Sequence, residues 1–263
     1  MQVDDECNKD TKQMNDKQMQ DQDRQALIKR WQNILEQMQQ AQNMQGSTNA
    51  SCQIDEVGVV TLVAVSKTKP VEMIQTLAEV GQRNFGENYL QEALEKMAAL
   101  KQQAVSKDIP DLVWHYIGHI QRNKTRDIAE NFDWVHTVER DIIAKRLHDQ
   151  RPEDKPALNI LIQVNIDHED SKSGCLPDEV EDLVIQIKEY TNLSLRGLMI
   201  IPAKADTDAF SRTQALFLHI QSQYPELSAW DTLSMGMSAD MQQAIAAGAT
   251  MVRVGSAIFG DRE

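Results

Sequence analysis

Cysteine is scarce and scattered in this chain. The three present, Cys7, Cys52 and Cys175, are odd in number, lie far apart and form no C-x-x-C pair, which argues against a disulfide framework, a zinc site or a dithiol redox centre. They read as free thiols. Positive charge is also short, since 27 Lys and Arg against 40 Asp and Glu leave a formal charge of −13. Such a field repels phosphate backbones and anionic bilayers, so a small molecule is the expected partner and neither nucleic acid nor a membrane is. No run approaches the roughly 18 apolar residues of a spanning helix. The opening residues, MQVDDECNKD, lack the basic and apolar stretches of a signal peptide. A cytoplasmic monomer is expected. Two phosphate-binding fingerprints are missing as well. No G-x-G-x-x-G follows the first strand-like run and no G-x-x-x-x-G-K-[ST] occurs, which removes support for dinucleotide and P-loop chemistry. His115 and His119 have a spacing that would suit a metal on a helix, but they fall in a strand-to-loop segment, and no metal site is expected.

What remains is ordinary globular material. The 263 residues are 41% hydrophobic and 25% charged, enough apolar surface for one large core. Residues 1–22, rich in Gln, Asp, Lys and Met without apolar periodicity, read as a disordered tail. From residue 23 onward a single domain is expected. Leu27, Trp31, Ile34, Leu35 and Met38 share one face at helical spacing, so an amphipathic helix precedes the main fold, its stripe expected to pack across a barrel end. QGSTNAS at 45–51 ends it with turn formers.

Eight β-branched or apolar runs then alternate with helical stretches. They are TLVAVSK (61–67), RNFGE (83–87), LVWHYIG (112–118), DWVHTV (133–138), LNILIQVNI (158–166), LSLRGLMII (193–201), DTLSMG (231–236) and MVRVGS (251–256). Near-continuous hydrophobic strands in repeated βα units point to an α/β fold, a single closed (β/α)8 TIM barrel with an extra N-terminal helix.

In such a barrel, polar residues at the C-terminal ends of the strands form the site. Lys67 ends the first run beside apolar walls, where a lysine loses its proton more readily and can attack an aldehyde. In the eighth run Arg253 and Gly255 share a face, and Gly255 and Ser256 lead into a turn suited to an anion. Gly236 and Ser238, after the seventh run, offer a second wall. Singly, each has a structural reading: Lys67 as a strand-end cap, the glycines as turn residues, Ser238 as a helix cap, Arg253 as an ion-pair partner. Together, a lysine on strand one, an arginine on strand eight and a phosphate cup between them describe a pyridoxal 5'-phosphate (PLP) pocket.

The stretches VAVSKTKP, FGENYLQE, WHYIGHIQRNK, LIQVNI with SKSG, RGLMIIP, LSMGMSAD and MVRVGSAIFG closely resemble the pyridoxal phosphate homeostasis protein family, from about residue 57 to 261. The resemblance implies a barrel like the N-terminal domain of alanine racemase. It implies Lys67 as the Schiff-base lysine, Arg253 facing the pyridine nitrogen, and Ser238, Gly255 and Ser256 holding the phosphate. Asn88 and Met235 are expected to line the cofactor. His115, His119, Asn123 and Lys124 follow the family's third-strand motif and are given no more than a place at the mouth. No catalytic residue is assigned. The implied role is a non-enzymatic protein that holds PLP and releases it to PLP-dependent apoenzymes; the alternatives are a PLP-dependent amino-acid racemase and a regulatory module acting through the N-terminal helix.

Overall fold

A computed structural model describes residues 3–48, 60–104, 111–169, 171–203, 206 and 208–261, with the side chains of 3–20 and 45–48 outside the description. In chain order the elements are α1 (Val3–Thr48), β1 (Thr61–Val65), α2 (Val71–Glu79), β2 (Asn84–Glu87), α3 (Leu90–Ala104), β3 (Val113–Tyr116), α4 (Thr125–Asn131), β4 (Trp134–Val138) and α5 (Asp141–Gln150). They continue with β5 (Leu158–Gln163), α6 (Val180–Ile187), β6 (Leu193–Met199), α7 (Ala209–Gln223), β7 (Thr232–Ser234), α8 (Met241–Ala246), β8 (Met251–Val254) and α9 (Ser256–Phe259). The strands run β1 to β8 in order around a closed barrel, and the parallel pairing of β1 with β8 completes it. None of the described helices is long and apolar enough to cross a membrane.

All eight expected runs contain a strand; β2 and β4 end with their runs, and the other six strands stop before their runs do. The cause lies in β1. Val63 and Val65 face the interior while Leu62 and Ala64 pack outward under the helices, so the run is apolar on both faces. Beyond Val65 the Ser66 N–H still reaches the neighbouring strand, at Gly86 O, and the chain then turns with Lys67 at the rim.

The N-terminal helix departs from expectation in its position. It lies on the outside of the barrel against α2, α8 and α9 rather than across an end. The reason is that α9 has four residues, too few to cover the outer face of β8 and β1, and α1 supplies the missing cover. Leu27, Trp31, Ile34 and Met38 are buried and Leu35 is partly so. The helix begins at Val3, upstream of the boundary at residue 23; the side chains that would bear on a tail over 1–22 lie almost entirely outside the described residues. Trp31 also donates its indole N–H to Gln82 Oε1 (2.9 Å), and Gln82 donates in turn to the carbonyls of Leu62 and Asn84. Trp31→Ala should therefore cost about 3–5 kcal/mol, as large-to-small changes in a core do. Urea unfolding measures it, and a loss under about 1 kcal/mol would mean that α1 is not part of the core.

Candidate cofactor site

Lys67, Asn88, Ser238, Arg253, Gly255 and Ser256 line one cavity of about 620 Å³ at the C-terminal ends of the strands. Six of the seven expected residues thus converge. The seventh, Met235, does not: one residue past inward-facing Ser234, strand alternation turns it outward, where it is fully buried in the core between the strands and the helices. Met237, partly exposed, lines the cavity instead.

The third-strand residues are also placed differently. His115 is not at the mouth; it is wholly buried in the barrel interior, hydrogen-bonded to His136 and Asn84. His119 and Asn123 are exposed, Lys124 is half-buried, and none of the three lines the cavity.

The backbone around Lys67 is pinned on both sides by α3. Lys96 Nζ donates to Ser66 O (2.7 Å), and the Thr68 N–H donates to Glu92 Oε1 (2.6 Å). Thr68 has φ 62°, the left-handed region that a β-branched residue avoids unless its surroundings hold it. Beneath them Glu87 Oε1 accepts from Ser66 Oγ (2.7 Å) and from Lys96 (2.8 Å). Burial nevertheless raises the Glu87 carboxyl above its ordinary range, outweighing those two hydrogen bonds and the Lys96 charge.

Two glycines fix the walls. A Cβ on Gly118 would stand 2.1 Å from Asn88 O, so only glycine lets the turn after β3 pass the backbone that carries Asn88. Gly236 has φ +93° and a Cβ there would meet Ala244 at 2.6 Å, so glycine is required where β7 turns toward Ser238. Gly255 differs, with its nearest protein atoms no closer than 3.4 Å to an added Cβ. The protein itself leaves room for a side chain there, and a bare backbone suits an occupant of the cavity.

Arg253 is 5% exposed and donates to Ser234 O (2.8 Å), Ser234 Oγ (2.6 Å) and Ile200 O (2.8 Å). Burial lowers its pKa to about 10, against the opposing charge of Asp240, which leaves it cationic at neutral pH. Asn88 Oδ1 is buried with no hydrogen-bond partner among the described residues, an acceptor that a ligand could satisfy. A nucleophilic amine, a fixed cation, an unsatisfied amide and two hydroxyls around one cavity fit a small phosphorylated aldehyde.

Sequence reading missed His136 and Ser234. His136 was accessible to it, because it shares the parity of Trp134 along β4, and Ser234 because a polar residue amid the apolar β7 run alternates with outward-packed Leu233. Burial lowers the His115 pKa to about 3 and that of His136 well below its ordinary value, the latter also through the neighbouring His115 and Arg253 charges. A depressed folded pKa means that the unfolded chain binds more protons between that value and about 6.5, so stability is full above pH 6.5 and falls as pH drops. From pH 7 to 5 the His115 share is roughly 2 kcal/mol, with His136 adding in the same direction. Urea midpoints at the two pH values should show this fall, and a His115→Leu/His136→Leu double variant should lose most of it.

Fold and site together define a barrel that brings a lysine, an arginine and the Gly255–Ser256 turn to one cavity. The family described as alanine racemase, N-terminal domain, matches residues 48–263. The pyridoxal phosphate homeostasis protein of Pasteurella multocida is 51% identical over 209 residues, covering 78% of this chain and 87% of that protein. The protein of the same name from Escherichia coli K12 is 47% identical, covering 78% and 86%. PipY of Synechococcus elongatus, solved with PLP bound, superimposes with a TM-score of 0.68 at 32% identity, over 84% of this chain and all of that one. An alanine racemase of Clostridium difficile, at 14% identity and a TM-score of 0.58, shares the fold. The chain belongs to the pyridoxal phosphate homeostasis protein family.

Proposed function

We propose that residues 23–263 form a PLP-binding unit that holds the cofactor on Lys67 and releases it to other proteins, without catalytic turnover of its own. The observation that carries this reading is the convergence of Lys67, Arg253 and the Ser238–Ser256 cup on one cavity. The PLP-bound PipY structure supports it. PLP supplies an aldehyde for imine formation and a ring that can act as an electron sink. Lys67 Nζ is the attacking amine, Ser238, Gly255 and Ser256 receive the phosphate, and Asn88 lines the ring.

Arg253 opposes protonation of a pyridine nitrogen set against it, since two cations in a buried site repel. That weakens the electron sink and favours holding over carbanion chemistry. A racemase would also need an acid/base opposite Lys67. Tyr116 is unsuited to that role, being buried and donating to His119 O (3.1 Å). Tyr190 and Tyr224 donate to Asp141 and Glu181. Tyr89 is half exposed but does not line the cavity. Without a positioned acid/base the proton step loses about 10²- to 10⁴-fold. Loaded protein incubated with L-amino acids in deuterated water should show no rapid Cα exchange and should activate a PLP-requiring apoenzyme added to it. Racemisation at ordinary enzyme rates would overturn the carrier reading.

A further inference from the structure

Beneath Arg253, four side chains that the site reading leaves unused lie end to end. Ser234 Oγ is 2.6 Å from Arg253 Nη1 and 3.1 Å from His136 Nδ1. His136 Nε2 is 2.9 Å from His115 Nδ1, and His115 Nε2 is 2.9 Å from Asn84 Oδ1. Strands β4 and β7 are not neighbours, so the His136–Ser234 contact must cross the barrel interior. His115, His136, Ser234 and Arg253 are all buried, and Trp134 stacks on His115.

The donors and acceptors admit a consistent direction. Arg253 can only donate, so Ser234 Oγ accepts from it and turns its own hydrogen to His136 Nδ1. His136 then carries its proton on Nε2 and gives that hydrogen bond to His115 Nδ1. His115, likewise protonated on Nε2, donates to Asn84 Oδ1, an oxygen that only accepts. The opposite sense would take the Ser234 hydrogen out of the chain and require Asn84 to present its NH2 group. In this direction a second N–H on either ring, at Nδ1, would set donor against donor. Burial of both rings favours the neutral forms that the chain needs.

We propose that Ser234, His136, His115 and Asn84 form a one-directional hydrogen-bond chain that positions Arg253 and so sets the protonation of the cofactor ring nitrogen. This rests on the reading that Arg253 faces that nitrogen. The chain links the mouth to the opposite end of the barrel, where Asn84 opens β2. The residues are positioning groups, since none of the four lines the cavity. Their effect reaches the ligand through the direction and charge of one guanidinium. An interior filled with apolar side chains would leave two guanidinium donors bound only to main-chain carbonyls, free to tilt with them.

Two measurements test the proposal. The first is the imidazole ¹⁵N NMR spectrum of the cofactor-free chain, in which His115 and His136 should both be neutral and Nε2-protonated from pH 7 to pH 5. An Nδ1-protonated or charged ring at pH 7 would overturn the chain whatever the cavity binds. The second is the pH titration of ring-¹⁵N-labelled PLP bound to the wild type and to Ser234→Ala and His136→Leu. The ring nitrogen should take up a proton about one pH unit higher in both variants, with Ser234→Thr restoring the wild-type profile. Folded variants that keep the Lys67 adduct and show unchanged profiles would sink the proposal. Should His136→Leu not fold, the Ser234 pair decides. Failure of the wild type to form a Lys67 adduct would overturn the site reading and with it the role at the ring, while the NMR result would still decide whether the chain exists.

Discussion

Lys67→Ala is expected to abolish covalent trapping of PLP by borohydride, leaving cofactor that dialyses away. The expectation is local and sharp because a second lysine lines the same cavity. Lys69 Nζ donates to Asp261 O (2.7 Å), which engages it at the rim. Lys67 emerges between two pinned peptide groups, Ser66 O held by Lys96 and Thr68 N–H held by Glu92. A near-fixed backbone on either side lowers the entropy lost when the side chain is captured in one geometry. Lys96→Met should accordingly weaken trapping without abolishing it. Full trapping in Lys67→Ala would mean that another amine is the nucleophile.

Ser256→Asp or Ser238→Asp should reduce PLP retention on the order of 100-fold, well beyond the effect of Arg253→Gln. A carboxylate about 4 Å from one phosphate charge is repelled by about 4 kcal/mol at an effective dielectric of 20, and partial exposure of the site reduces this toward about 3. Arg253→Gln alters the ring-nitrogen end and leaves the main ligand charge in place. Equilibrium dialysis of the folded variants ranks them. A larger loss for Arg253→Gln would move the phosphate away from the α9 turn.

The fold was legible because parallel barrel strands are buried on both faces and stand out as uninterrupted apolar runs. The end of β1 was not, because Ser66 and Lys67 prolong the run in sequence although the chain already turns at Lys67. The convergence of Lys67, Arg253 and Gly255 on one cavity was legible because each was picked out by its residue type at a strand end. Met235 was misplaced because a motif match carries no parity, and a shift of one residue along a strand changes the face. His115 was misplaced for a related reason: a histidine near a strand end suggests a mouth, whereas its register puts it level with Gly86 and Trp134 inside the barrel. The position of α1 depended on a feature that lies more than 200 residues away, the four-residue length of α9.

The central claim is that this cavity holds PLP through Lys67. Peptide mass mapping of the wild-type protein, loaded with PLP and reduced with borohydride, tests it most directly. The account predicts one reduced pyridoxyl group per chain, on the peptide containing Lys67 and assigned to that residue by fragmentation. An adduct confined to Lys69 or any other lysine, or no adduct at saturating PLP, would contradict it.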